Sequence, residues 1–150
     1  MIESKKLVVF DTNVIIASLR SRRGASFQLL KWVIEGDPRL QILLSVPLFL
    51  EYEAVLKREE QLAANHLQVQ DIDTILDMLA ARAKKIKIPF LWRPQLKDPK
   101  DEMVLEVAAN GQGEAIITFN RKDFLPATKR FNFQILSPSA FYAQIQEYLA

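Results

Sequence analysis

Short apolar runs alternate along this chain with longer stretches in which apolar residues recur at helical spacing. Residues 7–10, 41–44, 114–119 and 133–136 read as strands, and 85–88 as a further short one. Apolar strands alternating with helices imply an α/β chain whose parallel sheet is covered on both faces. In such folds, sites form outside the carboxyl ends of the strands. Asp11 follows the first run immediately, and Asn120 follows the run at 114–119.

The helices carry their own start and stop signals. Residues 14–20 continue apolar from the first strand into the polar turn Ser21-Arg22-Arg23-Gly24. Residues 25–35 show helical period through Phe27, Leu30 and Ile34, with Gly36 as a natural stop. Ser45 reads as an N-cap and Pro47 as a first-turn residue of a helix carrying Phe49, Leu50, Tyr52, Glu53, Val55 and Leu56. Residues 59–70 read as helical in part, and Asp71 or Asp73 starts a helix through Ile75, Leu76, Leu79 and Ala83. Asp98-Pro99 is a strong helix start, with an apolar face at 103–109 and an end at Asn110-Gly111. Ser137-Pro138 opens a final helix reaching about residue 149.

Composition narrows the chemistry. A chain of 150 residues, 49% hydrophobic and 25% charged, is expected to fold as one globular domain, 1–150. Without cysteine, disulfides, thiolate zinc sites and cysteine nucleophiles are excluded. A single histidine, His66, rules out a His-rich metal site within one chain and reads as a surface or helix-end residue. Carboxylates, hydroxyls and amides remain, and these suit hard cations such as Mg2+ or Mn2+. No apolar run approaches the roughly 18 residues of a membrane span, and no signal-peptide pattern opens the sequence, so a cytoplasmic protein is expected. Net charge is +2. The basic residues cluster at Arg20, Arg22 and Arg23, at Lys84, Lys85 and Lys87, at Arg93, Lys97 and Lys100, and at Lys129 and Arg130. Such clusters serve either as solvated faces or as a phosphate-binding surface.

Each acid at a strand end or helix start has two readings. Asp11 either caps the following helix or forms one wall of a site; a cap alone does not require Asn13 beside it. Glu51, in "LFLEYEAVLKRE", lies near its helix start, where a carboxylate also suits the helix dipole. In "KDPKDEMVLEVA", Asp98 reads as the cap, Asp101 as a first-turn acid that completes a capping box or faces a site, and Glu102 and Glu106 as solvent-side. "ITFNRKDF" adds Thr118, Asn120 and Asp123, in a turn whose composition is ordinary for turns. Glu53, Glu59 and Glu60 look like solvent-facing charges. Convergent carboxylates repel and raise one another's pKa unless a cation neutralises them, so a cluster implies a divalent metal.

The segments "VVFDTNVIIA", "LLSVPLFLEYEAVL", "DPKDEMVLEVAANGQGEAIITFN" and "NRKDF" together resemble a PIN domain. They stand in the family's order and roughly its spacing over nearly the whole chain, nearest the prokaryotic toxin components of toxin-antitoxin pairs. The resemblance implies a three-layer α/β/α sandwich around a parallel sheet and a Mg2+- or Mn2+-dependent ribonuclease acting on single-stranded RNA. It implies Asp11, Glu51 and Asp101 as the catalytic, metal-holding acids, with Asn13 and Thr118 in support. At the fourth acidic position many members carry an Asp, where this chain has Asn120; Asn120 or Asp123 then helps to hold one or two ions, with Asp123 either supplying the charge or bracing the loop. A cognate antitoxin and a homodimer or higher homo-oligomer are the implied partners.

Two rivals stand beside the nuclease. A non-catalytic RNA- or partner-binding module on the same fold is favoured by Asn120. A phosphotransfer enzyme on a related fold ranks lower. A haloacid-dehalogenase-type phosphatase wants an Asp at the position of Asn13, and a phospho-receiver wants an extra acid near the end of "LVVF". Trp32 and the phenylalanines read as core, and Trp92 beside Arg93 as the better aromatic for nucleic-acid or partner contact.

Overall fold

The computed structural model describes residues 5–88 and 96–148. In chain order the elements are β1 (Lys6–Phe10), α1 (Thr12–Arg20), α2 (Ala25–Glu35), β2 (Leu40–Leu44), α3 (Val46–Leu56), α4 (Glu59–Asn65) and α5 (Val69–Arg82). There follow β3 (Lys84–Lys85), α6 (Pro99–Asn110), β4 (Ala115–Ile117), α7 (Arg121–Phe124), a 3-10 turn (Leu125–Lys129), β5 (Gln134–Leu136) and α8 (Pro138–Tyr148). The strands form one sheet in the order β3-β2-β1-β4-β5, and every pairing is parallel. Helices cover both faces in a three-layer α/β/α sandwich. Val8, Val9, Phe10, Ile116 and Ile117 are almost wholly buried. Strands covered on both faces leave no solvent side, which is why they read as continuous apolar runs.

This order contains one reversal. From β1 the chain steps to β2 and β3 on one side, then crosses to lay β4 and β5 on the other. The crevice at the carboxyl ends of β1 and β4 is therefore the topological switch point, where open parallel sheets place their sites.

Local chemistry fixes the helix ends around it. Ser45 Oγ accepts the Leu48 N–H at 3.2 Å, and Asp98 Oδ1 accepts the Lys100 N–H at 2.9 Å, each beside a proline in the first turn. Gly36 ends α2 at φ +75°, a left-handed conformation that costs a β-carbon dearly.

Several expectations are corrected. The helix expected from Asp71 or Asp73 begins at Val69, with Gln68 as N-cap; Asp71 is the third residue and accepts the Gln68 N–H at 2.8 Å. The strand expected at 85–88 is the two-residue edge β3, and Ile86 adds one further bond, to the Leu44 carbonyl at 2.9 Å. Glu102 and Glu106, expected on the solvent side, are buried at 3% and 4% exposure. The reason is that α6 packs against β1, β2, β4, α3 and α7, so little of its circumference faces water. The Glu102 carboxylate turns inward and accepts the Leu96 N–H at 2.7 Å. His66 ends α4 at φ +55° and is exposed. Trp92 and Arg93 lie outside the described residues.

Candidate active site

Asp11 stands directly after β1, in the N-cap position of α1, yet its side chain makes no capping hydrogen bond. Its carboxylate turns toward β4 instead, and Thr118 Oγ1 donates to Oδ2 at 2.7 Å. Thr118 is fully buried and serves as a hub. Its Oγ1 accepts the Asn120 backbone N–H at 2.9 Å and, more weakly, the Asn13 amide at 3.5 Å. Asn13 Oδ1 in turn accepts the Phe119 N–H at 3.4 Å. Asn13 and Thr118 thus stitch the start of α1 to the end of β4. From below, the buried Tyr52 hydroxyl donates to the carbonyl of Phe10, the residue before Asp11. Tyr52 was legible in the sequence only as part of an apolar helix face; nothing there linked it to Asp11.

The electrostatics of this corner are unbalanced. Burial raises the Asp11 carboxyl above its ordinary value, opposed by the Thr118 hydroxyl and the Thr12 backbone N–H, while Asp123 and Asp98 push it further up. Asp101, in the first turn of α6, rises from 3.8 to about 7, through burial first and then the negative charge of Asp11, Asp98, Asp123 and Glu102. Asp98, Asp101 and Asp123 line one cleft of about 700 Å³ with Lys97 and Lys122.

The expected site residues are therefore not equivalent. Asp11, Asp101 and Asp123 come together with Asp98, which sequence pattern assigned only to capping. Glu51, mostly buried, meets this region through Lys100, whose Nζ lies 3.9 Å from Oε1. Asn120 is exposed and contributes its backbone N–H; the nearby carboxylate comes from Asp123.

A hard divalent cation fits this donor set in chemistry and in charge, because oxygen donors with unneutralised negative charge are what Mg2+ and Mn2+ select. Among the described residues, however, no three acids stand as a ready metal-ligand group. Ligation by three carboxylates requires the side chains to draw inward.

Comparisons with known proteins agree on the fold. The PIN domain family model matches residues 7–122. Curated proteins give no match. Among solved structures, the chain is similar to the crystal structure of VapBC2 from Rickettsia felis bound to a DNA fragment from their promoter, with a TM-score of 0.56 at 12% identity. That likeness covers 87% of this chain and 98% of the other, and at such identity it shows the fold alone.

Proposed function

The chain belongs to the PIN-domain family, and we propose that it is a Mg2+- or Mn2+-dependent endoribonuclease hydrolysing phosphodiester bonds of single-stranded RNA. The observation that carries this is Asp101, pushed to about 7 in a cleft shared with Asp98 and Asp123 and beside Asp11. A cation among these carboxylates offsets both the burial of Asp101 and its repulsion by the neighbouring acids.

Asp11, Asp101 and Asp123, with Glu51 drawn in from α3, are the groups that would hold the ion. When bound, it supplies charge for the phosphoryl oxygens and acidifies an attacking water. Thr118 fixes the rotation of the Asp11 carboxylate, and Asn13 holds the β4 turn in register with α1. Lys97 and Lys122, lining the same cleft, contact phosphates without reading sequence.

No helix among the described residues is long and apolar enough to cross a membrane. As the toxin of a toxin-antitoxin pair, the protein would act on RNA in the cytoplasm. The Rickettsia felis neighbour is a VapBC2 assembly, which supports a cognate antitoxin as partner. Val46 and Leu50, 71% and 51% exposed one turn apart on α3, support a homodimer face.

The alternative, a non-catalytic RNA- or partner-binding module, is favoured by the absence of a ready three-acid ligand group among the described residues. Calorimetric titration of Mn2+ and Mg2+ into wild type and Asp11→Asn, with cleavage of a mixed single-stranded RNA followed in the same samples, separates the two. Binding and cleavage that both fall in the variant support the nuclease. A folded wild type that binds neither ion makes the binding module the better account.

A further inference from the structure

We propose that Phe119 forms a base-binding subsite, stacking its ring on an unpaired nucleobase beside the scissile phosphate. This rests on the nuclease function proposed above and names how that site holds its substrate.

Phe119 is 55% exposed, although Ile117 and Thr118 just before it are fully buried. Among the described residues it is the one aromatic with its side chain so open to water; the other exposed large apolar residues are Val46, Leu50, Val69, Met78 and Leu125. An apolar ring left in water forgoes burial energy, and a turn at a strand end is ordinarily polar. The backbone that carries this residue is also tied down. Its N–H is bonded to Asn13, the preceding Thr118 hydroxyl to the Asp11 carboxylate, and the following N–H to Thr118. The backbone that aims Phe119 is therefore the same network that aims Asp11. A fixed backbone leaves only the two side-chain torsions of Phe119 to order on binding.

The cleft at the same end of the sheet supplies the cations. Lys122, three residues on from Phe119, and Lys97 line the acidic cleft and offer cations to phosphates. Phe119 itself does not line that cleft; it leads from β4 into the turn before α7, which carries Lys122. Aromatic faces combined with cations bind single-stranded nucleic acid without sequence readout, because every base has a π-face. Bases within a duplex already stack on each other, so the subsite selects unpaired RNA. An apolar side chain of a protein partner is the competing occupant.

Anisotropy titrations of the whole chain in EDTA test this with two probes: a short fluorescein-labelled oligoadenylate, and the same oligomer with abasic riboses. Phe119→Ala is expected to weaken oligoadenylate binding about 5- to 150-fold. Phe119→Trp restores it, Phe119→Leu does not, and none of the three changes affinity for the abasic oligomer or the thermal midpoint. Unchanged binding in Phe119→Ala overturns the subsite while leaving the nuclease intact. Full retention by Phe119→Leu overturns stacking in favour of apolar docking. A wild type that binds neither oligomer overturns the subsite, and if it also fails to cleave RNA in Mn2+ the nuclease falls with it.

Discussion

Replacing Asp101 with asparagine should stabilise the protein while abolishing the metal binding proposed for this site. Asparagine keeps the shape of the side chain and removes its charge. Below about pH 4 the Asp101 carboxyl is protonated in both the unfolded and the folded chain, so it costs nothing. As pH rises, the unfolded chain ionises first, because the folded carboxyl holds its proton to about 7. Stability contributed at low pH is therefore lost progressively between about 4 and 7, and the loss is complete above that. Taken at full value, a rise from 3.8 to about 7 corresponds to about 4 kcal/mol. Asp101 is half-buried and open to the cleft, so solvent screening reduces this to about 1–2 kcal/mol. Urea denaturation in EDTA at pH 5 and pH 8 reads the difference. Asp101→Asn should gain about 1–2 kcal/mol over wild type at pH 8, less at pH 5, and nothing from added Mn2+. Wild type should recover about 2.7 kcal/mol when Mn2+ stands near a hundredfold over its dissociation constant. A variant less stable than wild type at pH 8, or one that gains equally at both pH values, refutes the account in which burial and neighbouring charge raise Asp101.

Other perturbations follow from the same geometry. Tyr52→Phe leaves the buried Phe10 carbonyl without the hydroxyl donor and should cost about 1–2 kcal/mol in chemical denaturation, with weaker Mn2+ binding because Asp11 follows that carbonyl. Thr118→Val removes the donor to Asp11 at 2.7 Å but keeps the buried volume; calorimetry should show Mn2+ affinity falling about tenfold, at a net stability cost of about 1–2 kcal/mol. Gly36→Ala meets both a φ of +75° and the Arg82 guanidinium 2.8 Å from the new β-carbon, and should lower stability by about 1–2 kcal/mol with RNA cleavage unchanged.

Signals carried within a few residues were legible in the sequence. Ser45-Val46-Pro47 and Asp98-Pro99 specify helix starts by caps and proline, and Gly36 specifies a stop. The start of α5 was misplaced because Asp71 looks like a cap, whereas it works from the third position back onto the Gln68 N–H. What required the fold is of another kind. The spacing of residues 11 and 118 says nothing about their separation until β4 is known to pair with β1 rather than with β2. The inward turn of Glu102 and Glu106 depends on how many elements surround α6, which no periodicity reports. Phe119 ends an apolar run and so looks like core, yet the ladder stops at Ile117 and its ring faces water.

The acids of this site gather where backbone electrostatics can hold some charge but not all of it. Asp11 stands at the N-cap of α1, Asp98 at that of α6, and Asp101 in the first turn of α6. Helix N-termini favour a carboxylate by about 0.3–1 kcal/mol each, so each acid is individually tolerable. Together they are not, since burial and the negative charge of Asp11, Asp98, Asp123 and Glu102 raise Asp101 to about 7. A lysine placed among them would remove the strain permanently, as Lys57 does between Glu53 and Asp73 at 2.9 and 2.6 Å, where the pair ties α3 to α5. At the switch point Lys97 and Lys122 instead share the walls of the cleft with the acids, leaving the deficit standing. The same chain pairs its acids closely where the task is to join two helices and leaves Asp101 raised, by burial and by its acidic neighbours, where β1 and β4 end. That contrast is the physical reason to expect an exchangeable cation at Asp11 and Asp101 rather than a structural ion pair.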